Sequence, residues 1–349
     1  MTLQAFLLHL LFATFVGGIS ALLTAFLISR LRILDIPNDR SSHSVPVPRG
    51  GGLAIIAGFL IGISLIQGLG SVVPLRSSFF WGFLFSLLVI AGMSFYDDIR
   101  HRGLRVKLGT QLVSIGLAMA VGNVFDVIHL PWLGEVHSLI VLYPLTLVWL
   151  LGLTNAYNFM DGLDGMAAAT AVVASAFFSY VAYCEGSYFV YLVSLALGAA
   201  TFGFMVFNWS PAKIFMGDVG SAFLGFAFAT LAIVAARYDR GHTSLFVTPL
   251  LLFHFIFDSV VTFIRRLRNG DNVFQAHRTH LYQLMNRLGY SHKTVTLAYA
   301  GLAVLQGLAA IWMVGLPGEH RLWAFLPFAL IYSFACSRIL ARAKRNGLL

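Results

Sequence analysis

The sequence predicts an all-α, polytopic integral membrane protein, and three observations support this prediction. Of its 349 residues, 58% are hydrophobic and only 11% are charged, whereas a soluble domain carries roughly a quarter charged residues. The mean hydropathy is +0.83. The 33 glycines suit a membrane protein, because glycine lets transmembrane helices approach closely. No polar stretch is long enough to form a soluble domain, so we expect a single transmembrane domain over residues 1–349.

The apolar windows of the chain predict its helices in order. A helix needs roughly 20 apolar residues to span the hydrocarbon of a bilayer. Such windows fall at residues 5–29, 51–67, 79–96, 108–122, 139–155, 165–184, 188–207, 219–236, 245–264, 295–315 and 321–340. They predict about 11 transmembrane helices. The windows at 51–67 and 108–122 are short, and the division of 165–207 into two helices depends on one tight connection.

Lysines and arginines predict the orientation, because they concentrate in loops on the inner side of a membrane. With the N-terminus outside and the C-terminus cytoplasmic, the inner loops are 30–50, 97–107, 208–218, 265–294 and the tail from 338. The outer loops hold only Arg76, Arg237, Arg240 and Arg321, which leaves 19 of the 23 lysines and arginines inside. The net charge of +9 is therefore a topology signal, and we expect no nucleic-acid binding.

The same topology places five aspartates on the cytoplasmic side, although it was assigned from basic residues alone. They are Asp97, Asp98, Asp161, Asp164 and Asp218. A carboxylate at a membrane boundary is costly unless it binds a cation, a partner or a substrate. The clustering therefore predicts a metal-dependent active site on the cytoplasmic loops 30–50, 97–107, 155–165, 208–220 and 265–294.

Asp97 and Asp98 end the third apolar window and precede a basic loop, Arg100 to Lys107. The pair could merely balance the nearby arginines. Alternatively, one carboxylate could bind Mg²⁺, which takes oxygen ligands and shares them with substrate phosphates. The other could act as a base.

The segment NAYNFMDGLDG places Asn155, Asn158, Asp161 and Asp164 at a spacing of three residues. On a helix these side chains would share one face, but the glycines of the segment favour a turn in which the backbone approaches a ligand. A purely structural cap and turn is the alternative. Further along, FMGDVGS places Asp218 at a predicted helix N-terminus, where it could cap the helix or present a carboxylate to Mg²⁺ beside N–H groups suited to phosphate.

Two other inner loops carry candidate residues. His277, Arg278 and His280 lie on the longest inner loop, near Arg265, Arg266 and Arg268. Diphosphate binding is better supported there than a zinc site or a solvated loop. The loop NDRSSHSVPVPRGGG contains His43 and Arg49; its prolines predict an extended chain and its glycines could cradle an anion, although a plain basic linker is equally compatible. The intramembrane Asp258 could bind either a polar neighbour or substrate.

Five segments, PRGGG, FYDDIR, NAYNFMDGLDG, NWSPAKIFMGDVGS and HRTHLYQ, follow in this order on the inner loops. In this order they resemble the polyprenyl-phosphate N-acetylhexosamine-1-phosphate transferase superfamily, glycosyltransferase family 4, over nearly the whole chain. HRTH followed by LYQ, instead of a run of histidines, resembles the O-antigen-initiating branch that uses N-acetylfucosamine or N-acetylquinovosamine.

The resemblance implies roles for individual residues. Asp97 and Asp98 match the tandem acids, with Asp97 the candidate for activating the lipid phosphate. Asp218 matches the magnesium ligand, and Asp98 is the second candidate ligand. The remaining residues match substrate-binding positions: Asn155, Asn158, Asp161 and Asp164 of the nucleotide pocket, Phe215 stacking on uracil with Asn208 nearby, and His277, Arg278 and His280 near the diphosphate, with His43 and Arg49 added from the first inner loop.

The resemblance also implies a reaction. A Mg²⁺-dependent enzyme (Mn²⁺ being the alternative metal) would transfer an N-acetylhexosamine 1-phosphate from a UDP-sugar to undecaprenyl phosphate in the bacterial inner membrane, releasing UMP. This step would initiate the synthesis of O-antigen or another cell-surface polysaccharide, as part of lipopolysaccharide biosynthesis in the O-antigen case. The alternatives are a UDP-N-acetylglucosamine-specific transferase and, more distantly, a secondary transporter, which would place acids near the bilayer midplane. The sugar and the oligomeric state stay open, a homodimer included.

Overall fold

Helices make up 77% of the chain in the computed structural model. It describes residues 2–31, 33–37, 45–69, 77–100, 103–130, 134–237, 243–273, 275 and 277–349. The helices are α1 (Leu3–Arg30), α2 (Gly52–Leu69), α3 (Ser77–Arg100), α4 (Leu104–Ala120), α5 (Leu139–Phe159), α6 (Met166–Cys184), α7 (Tyr188–Asn208), α8 (Gly217–Arg237), α9 (Val247–Leu251), α10 (Phe253–Arg268), α11 (Leu281–Arg287), α12 (His292–Val314) and α13 (Leu326–Arg345). A 3₁₀ helix (Gly318–Phe325) precedes α13.

Each predicted apolar window coincides with helix, and the division between α6 and α7 falls at the predicted connection. The window at 245–264 is interrupted at Leu252, between α9 and α10. Within the described residues, eight helical segments are long and apolar enough to cross a membrane, and a shorter apolar helix lies at Gly52–Gly68. A mostly helical, polytopic membrane protein is thereby confirmed, while eleven crossings and the orientation remain predictions.

Helix α8 lies at the centre of the bundle, and 94% of its membrane-length window is buried, against 17% for α1. It packs against α2, α3 and α5. Glycines allow the close approach: a Cβ on Gly220 would lie 2.7 Å from the Cα of Gly52, and one on Gly225 would lie 2.7 Å from the Cβ of Tyr157. These crossings fix the ends of α2, α5 and α8 relative to one another.

The motif-bearing segments meet at one end of this bundle. Strand β1 (Leu34–Asp35) pairs antiparallel with β2 (Val47–Pro48), so the proline-containing loop is extended there, as predicted. The next residue, Arg49, forms a bridge with Phe215 just before α8. A second two-stranded sheet, β3 (Ile128–Leu130) with β4 (Gly134–Val136), lies in the connection between α4 and α5.

Candidate active site

Asp98, at the C-terminal end of α3, binds the N-terminus of α8. Its Oδ1 accepts a hydrogen bond from the N–H of Asp218 at 3.1 Å, and its Oδ2 accepts one from Val219 at 2.9 Å. Arg49 Nε lies 3.5 Å from Oδ1. Asp98 is 2% exposed, so its carboxylate is held between a helix N-terminus and a guanidinium, both of which favour negative charge. Asp97, beside it, is half-buried.

The Arg49 loop is joined to the Phe215 segment through the backbone. Phe215 donates its N–H to Pro48 at 2.8 Å, and its carbonyl accepts from Gly50 at 3.2 Å and Gly51 at 2.9 Å. Gly217 follows with φ +77°, and a Cβ there would lie 2.9 Å from Asp98 Oδ2. A side chain at this turn would therefore meet both steric and conformational strain, and the half-buried Phe215 is held beside the start of α8.

Asp218 forms a compact polar cluster with Asn158 and Lys107. Lys107 Nζ lies 2.7 Å from Asp218 Oδ2 and donates to Asn158 Oδ1 at 2.8 Å. Asn158 Nδ2 donates to Asp218 Oδ1 at 2.9 Å and to Ser221 Oγ at 2.7 Å. Two side-chain oxygens, Asp218 Oδ2 and Asn158 Oδ1, thus bind one ammonium group, and oxygen ligands of this kind also suit a hard cation.

Asp161 differs from the other motif acids. Within the described residues its carboxylate has no hydrogen bond or ion pair, and its side chain is partly exposed. Burial, followed by the charges of Asp218 and Asp98, raises the pKa of Asp161 to about 7. Because Arg49 only partly opposes these effects, the group is close to half-ionised near neutral pH, and a cation would favour its charged form.

Asp164 and Asn208 tie the loops together. Asp164 Oδ2 accepts from the N–H of Ala212 at 3.2 Å, and Oδ1 lies 3.3 Å from His292 Nδ1. Burial opposes ionisation, but His292 and the Ala212 N–H outweigh it and lower the pKa of Asp164. Asn208, 3% exposed, accepts from Gly165 at 3.1 Å and donates to Ile214 at 2.9 Å. Both side chains thereby hold the turn after α5 against the segment before α8.

Asn155 lies one turn before Asn158 on α5 and pairs with Gln111 of α4. Its Nδ2 donates to Gln111 Oε1 at 2.8 Å, and its Oδ1 accepts from Gln111 Nε2 at 3.2 Å. This reciprocal pair holds α4 beside α5, which is how Lys107 comes to lie next to Asn158.

The histidine motif adjoins the same turn. The rings of His277 and His280 lie 4.9 Å apart, and the rings of Phe159 and His280 lie 5.8 Å apart. Tyr282 Oη donates to Phe159 O at 2.9 Å. The half-buried Arg278 lies on the same loop, and its carbonyl accepts from Arg287. The loop is therefore placed against the end of α5.

The structure brings together most of the residues predicted from the sequence, with some differences in detail. Arg265 and Arg266 donate to carbonyls of their own loop, Thr279 for the former and Gln275 and Asn272 for the latter, so these groups hold the loop. Asp258 binds polar neighbours, which was one of the two alternatives predicted for it, the other being substrate. His43 lies outside the described residues.

Sequence reasoning did not single out Lys107 as a site residue, because it named this lysine only as the end of the basic loop Arg100 to Lys107 and as an inner-side charge. Its position at the beginning of an apolar window was the available signal, since a charge there needs a partner.

Among the described residues, no group of three or more histidine, cysteine, aspartate or glutamate side chains is arranged to hold a metal ion. The oxygen donors of Asp218, Asn158 and Asp161 nevertheless fit Mg²⁺, because this ion is held in nucleotide enzymes by one or two carboxylates together with waters and substrate phosphates. Lys107, bound between Asp218 and Asn158, shows that this cluster accepts a cation.

Comparisons with known proteins indicate the family of the chain. The sequence model of glycosyl transferase family 4 matches residues 80–236. A probable undecaprenyl-phosphate N-acetylglucosaminyl 1-phosphate transferase of Bacillus subtilis is 30% identical over 310 residues, covering 87% of this chain and 85% of the relative. A decaprenyl-phosphate N-acetylglucosaminephosphotransferase of Mycobacterium leprae is 30% identical over 319 residues, covering 81% and 79%. A phospho-N-acetylmuramoyl-pentapeptide-transferase of Lactobacillus helveticus is 29% identical over 250 residues, covering 68% and 72%.

Proposed function

Because the chain belongs to glycosyl transferase family 4, we propose that it transfers an N-acetylhexosamine 1-phosphate from a UDP-sugar to undecaprenyl phosphate. The observation that supports this most is the cluster of Asp218, Asn158 and Lys107 beside Asp98 and Arg49. It combines oxygen donors for a cation with positive groups for phosphates, at the ends of apolar helices. Phosphoryl transfer depends mainly on such positioning and charge stabilisation.

The proposed reaction breaks one phosphorus–oxygen bond and forms another. An oxygen of the lipid phosphate attacks the sugar-linked phosphorus of the UDP-sugar, and UMP leaves. Lys107 and Arg49 offset the charge of the two phosphate groups during this exchange. In this proposal Phe215 stacks on uracil, and Asp97 is the candidate for activating the lipid phosphate.

We assign the proposed Mg²⁺ to Asp218 and Asp161, with Asn158 as a further oxygen donor. Bound there, the ion would neutralise charge on the diphosphate. Asp98 was the second candidate ligand on sequence grounds, but both of its oxygens accept hydrogen bonds from α8, which favours a role in holding Asp218 in place. Asp161 has no such bonds among the described residues and is the better second carboxylate.

The lipid acceptor accounts for the membrane fold. Its tail can remain in the bilayer while its phosphate reaches the cluster at the ends of the helices. We place this cluster on the cytoplasmic face of the inner membrane, because the basic residues predict that side and a charged UDP-sugar does not cross a bilayer unaided.

Two sugars compete on specific observations. The names of the Bacillus and Mycobacterium relatives favour N-acetylglucosamine. The HRTHLYQ segment favours a 6-deoxy-N-acetylhexosamine such as N-acetylfucosamine or N-acetylquinovosamine, and with it the start of an O-antigen chain.

The test is UMP release by purified protein with Mg²⁺, undecaprenyl phosphate and a panel of UDP-N-acetylhexosamines that includes both sugars. We expect release to require the lipid and the metal, and the preferred sugar decides between the two candidates. Glu319→Gln, an exposed position outside the site, serves as a control and should match the unmodified protein. Folded protein that neither releases UMP nor binds any UDP-sugar would exclude the proposal.

A further inference from the structure

Asp258 is a buried acid that the proposed reaction does not yet use. It lies within α10, about two turns before the arginines that end this helix, and it is 1% exposed. A carboxylate in such a place is retained only where it is paired and hydrogen-bonded. Its partners therefore indicate what it does.

Among the described residues, three of the five polar partners of Asp258 belong to the histidine motif or to the start of α11. Oδ1 accepts from the N–H of Leu281 at 2.9 Å, and Oδ2 accepts from the N–H of Tyr282 at 3.2 Å. These are the first two residues of α11, so Asp258 caps that helix from a distant part of the chain. Thr262 Oγ1 donates to Oδ1 at 3.2 Å, and Tyr299 Oη donates to Oδ2 at 3.0 Å.

The remaining partner is His280, whose Nδ1 lies 3.1 Å from Asp258 Oδ1. An ionised carboxylate only accepts hydrogen bonds, so Nδ1 carries the proton. In the neutral ring Nε2 is then unprotonated. Asp258 thus selects both the ring orientation and the tautomer of His280.

The contact extends to the turn that carries Asp161. His280 packs beside Phe159, with ring centroids 5.8 Å apart. Tyr282, which Asp258 binds through its N–H, donates its hydroxyl to Phe159 O at 2.9 Å, and the same hydroxyl packs against Gly162. A displaced α11 would therefore move both the histidine and the support beneath the Asp161 turn.

We propose that Asp258 is a positioning residue for the transfer reaction, acting through His280 to hold the histidine motif against the diphosphate of the substrate. This inference rests on the proposed function. Asp258 itself does not contact the substrate. Replacing Asp258 should therefore lower the transfer rate only by disturbing His280.

The test is a double-mutant cycle in UMP release, with kcat and KM measured for Asp258→Asn, His280→Asn and the pair. Asn at 258 puts an amide N–H₂ where N–H and O–H donors now bind. We expect each single variant to lower kcat/KM by about 10–100-fold, as for other groups that orient an active-site histidine. If Asp258 acts through His280, the double variant should be no worse than His280→Asn alone. Thr262→Val, which removes a donor to the same oxygen, is the matched control and should retain activity.

A second measurement keeps the proposal testable if Asp258→Asn does not fold. In ¹⁵N-histidine-labelled protein at pH 8, the His280 signals, identified by their loss in His280→Asn, should report a protonated Nδ1 and a bare Nε2. The opposite tautomer, or losses in the cycle that multiply, would overturn the inference while leaving the transferase activity standing. An inactive unmodified protein would instead overturn the proposed function, and the inference with it.

Discussion

Lys107 occupies oxygen atoms that the proposed metal ion would also bind. Its ammonium binds Asp218 at 2.7 Å and Asn158 at 2.8 Å, so it neutralises the same oxygens that a divalent cation would use. The lysine and the proposed metal therefore compete for ligands. Yet both supply positive charge for phosphates.

Replacing Lys107 by methionine should separate these two effects. We expect kcat to fall about 100-fold, as for the loss of one group that stabilises transition-state charge. The Mg²⁺ concentration for half-maximal activity should fall as well, because the ion no longer displaces an ammonium from Asp218. UMP release titrated with Mg²⁺ measures both quantities. An unchanged or higher Mg²⁺ requirement would show that the two cations do not share ligands.

Asp218→Asn should nearly abolish turnover without loss of folded protein. The amide keeps the shape of the side chain but removes its charge, so both the proposed metal and Lys107 lose their main partner. We expect a loss of more than about 100-fold, beyond what residues supporting a ligand typically cause. UMP release by protein with an unchanged melting temperature measures this. Near-normal release would exclude Asp218 as a metal ligand.

Asp161 predicts a pH dependence of metal binding. Its pKa is raised to about 7 by burial and by the charges of Asp218 and Asp98, so it is mainly protonated at pH 6 and mainly ionised at pH 8. Since only the ionised form binds Mg²⁺ well, the half-saturating Mg²⁺ concentration should fall as pH rises through this range. The effect on folding has the opposite sign. Because the pKa of Asp161 is higher in the folded protein than in the unfolded chain, the free energy of unfolding falls as pH rises toward this pKa.

Asp161→Asn is the control for that titration. The asparagine cannot ionise, so its Mg²⁺ requirement should be higher and should vary less between pH 6 and pH 8. A parallel pH dependence in both proteins would assign the titration to another group.

At the scale of elements, the helices were predictable but the contacts between their ends were not. Apolar windows located every long helix, because hydropathy is a local property of the chain, whereas the seven-residue α11 lies outside them. The cap of α8 was not local: FMGDVGS suggested Asp218, whereas the structure shows Asp98 of α3 accepting from Asp218 and Val219. Asp164 and Asn208 likewise bind loops distant in sequence, which spacing alone does not reveal.

The crossing of α2 and α8 predicts a stability effect at Gly220. A Cβ there would lie 2.7 Å from the Cα of Gly52, so Gly220→Ala must push the helices apart. We expect a loss of about 1–3 kcal/mol, as for other overpacked sites. Activity should fall too, because α2 and α8 position Arg49 and Asp218.

Gly116→Ala in α4 is the matched control for Gly220→Ala, because within the part of the chain that the structure describes a Cβ at Gly116 meets nothing within 4 Å outside its own stretch of helix. Alanine is the better helix former by roughly 0.5–1 kcal/mol, so this variant should melt at the same temperature or higher. Thermal unfolding in one detergent compares the two variants. Equal melting temperatures would contradict the tight crossing.

At the scale of the whole molecule, the proposed chemistry and the predicted topology both require the polar cluster to face the cytoplasm. The ends of α3, α5 and α8 that carry Asp98, Asn158 and Asp218 meet at one end of the bundle. The arginines that end α3, α10 and α13 belong to the loops predicted to face the cytoplasm. An enzyme that uses a UDP-sugar must face the compartment that holds this charged donor. In an inverted molecule the donor would not reach the polar cluster, and no transfer would occur.

Thiol labelling in a background without Cys184 and Cys336 tests that orientation. Glu135→Cys, exposed between α4 and α5, should react with a membrane-impermeant maleimide in intact spheroplasts, because it belongs to a predicted outer loop. Asn346→Cys, exposed after α13, should react only once the membrane is opened, because that tail carries Arg342, Lys344 and Arg345, and such residues are retained inside. The reverse pattern would place the acid cluster outside, where no cytoplasmic UDP-sugar reaches it, and would exclude the transferase direction proposed above. Labelling of both sites from the same side would instead require an even number of crossings between them, and the interrupted α9–α10 pair would then be the first candidate for a segment that does not span.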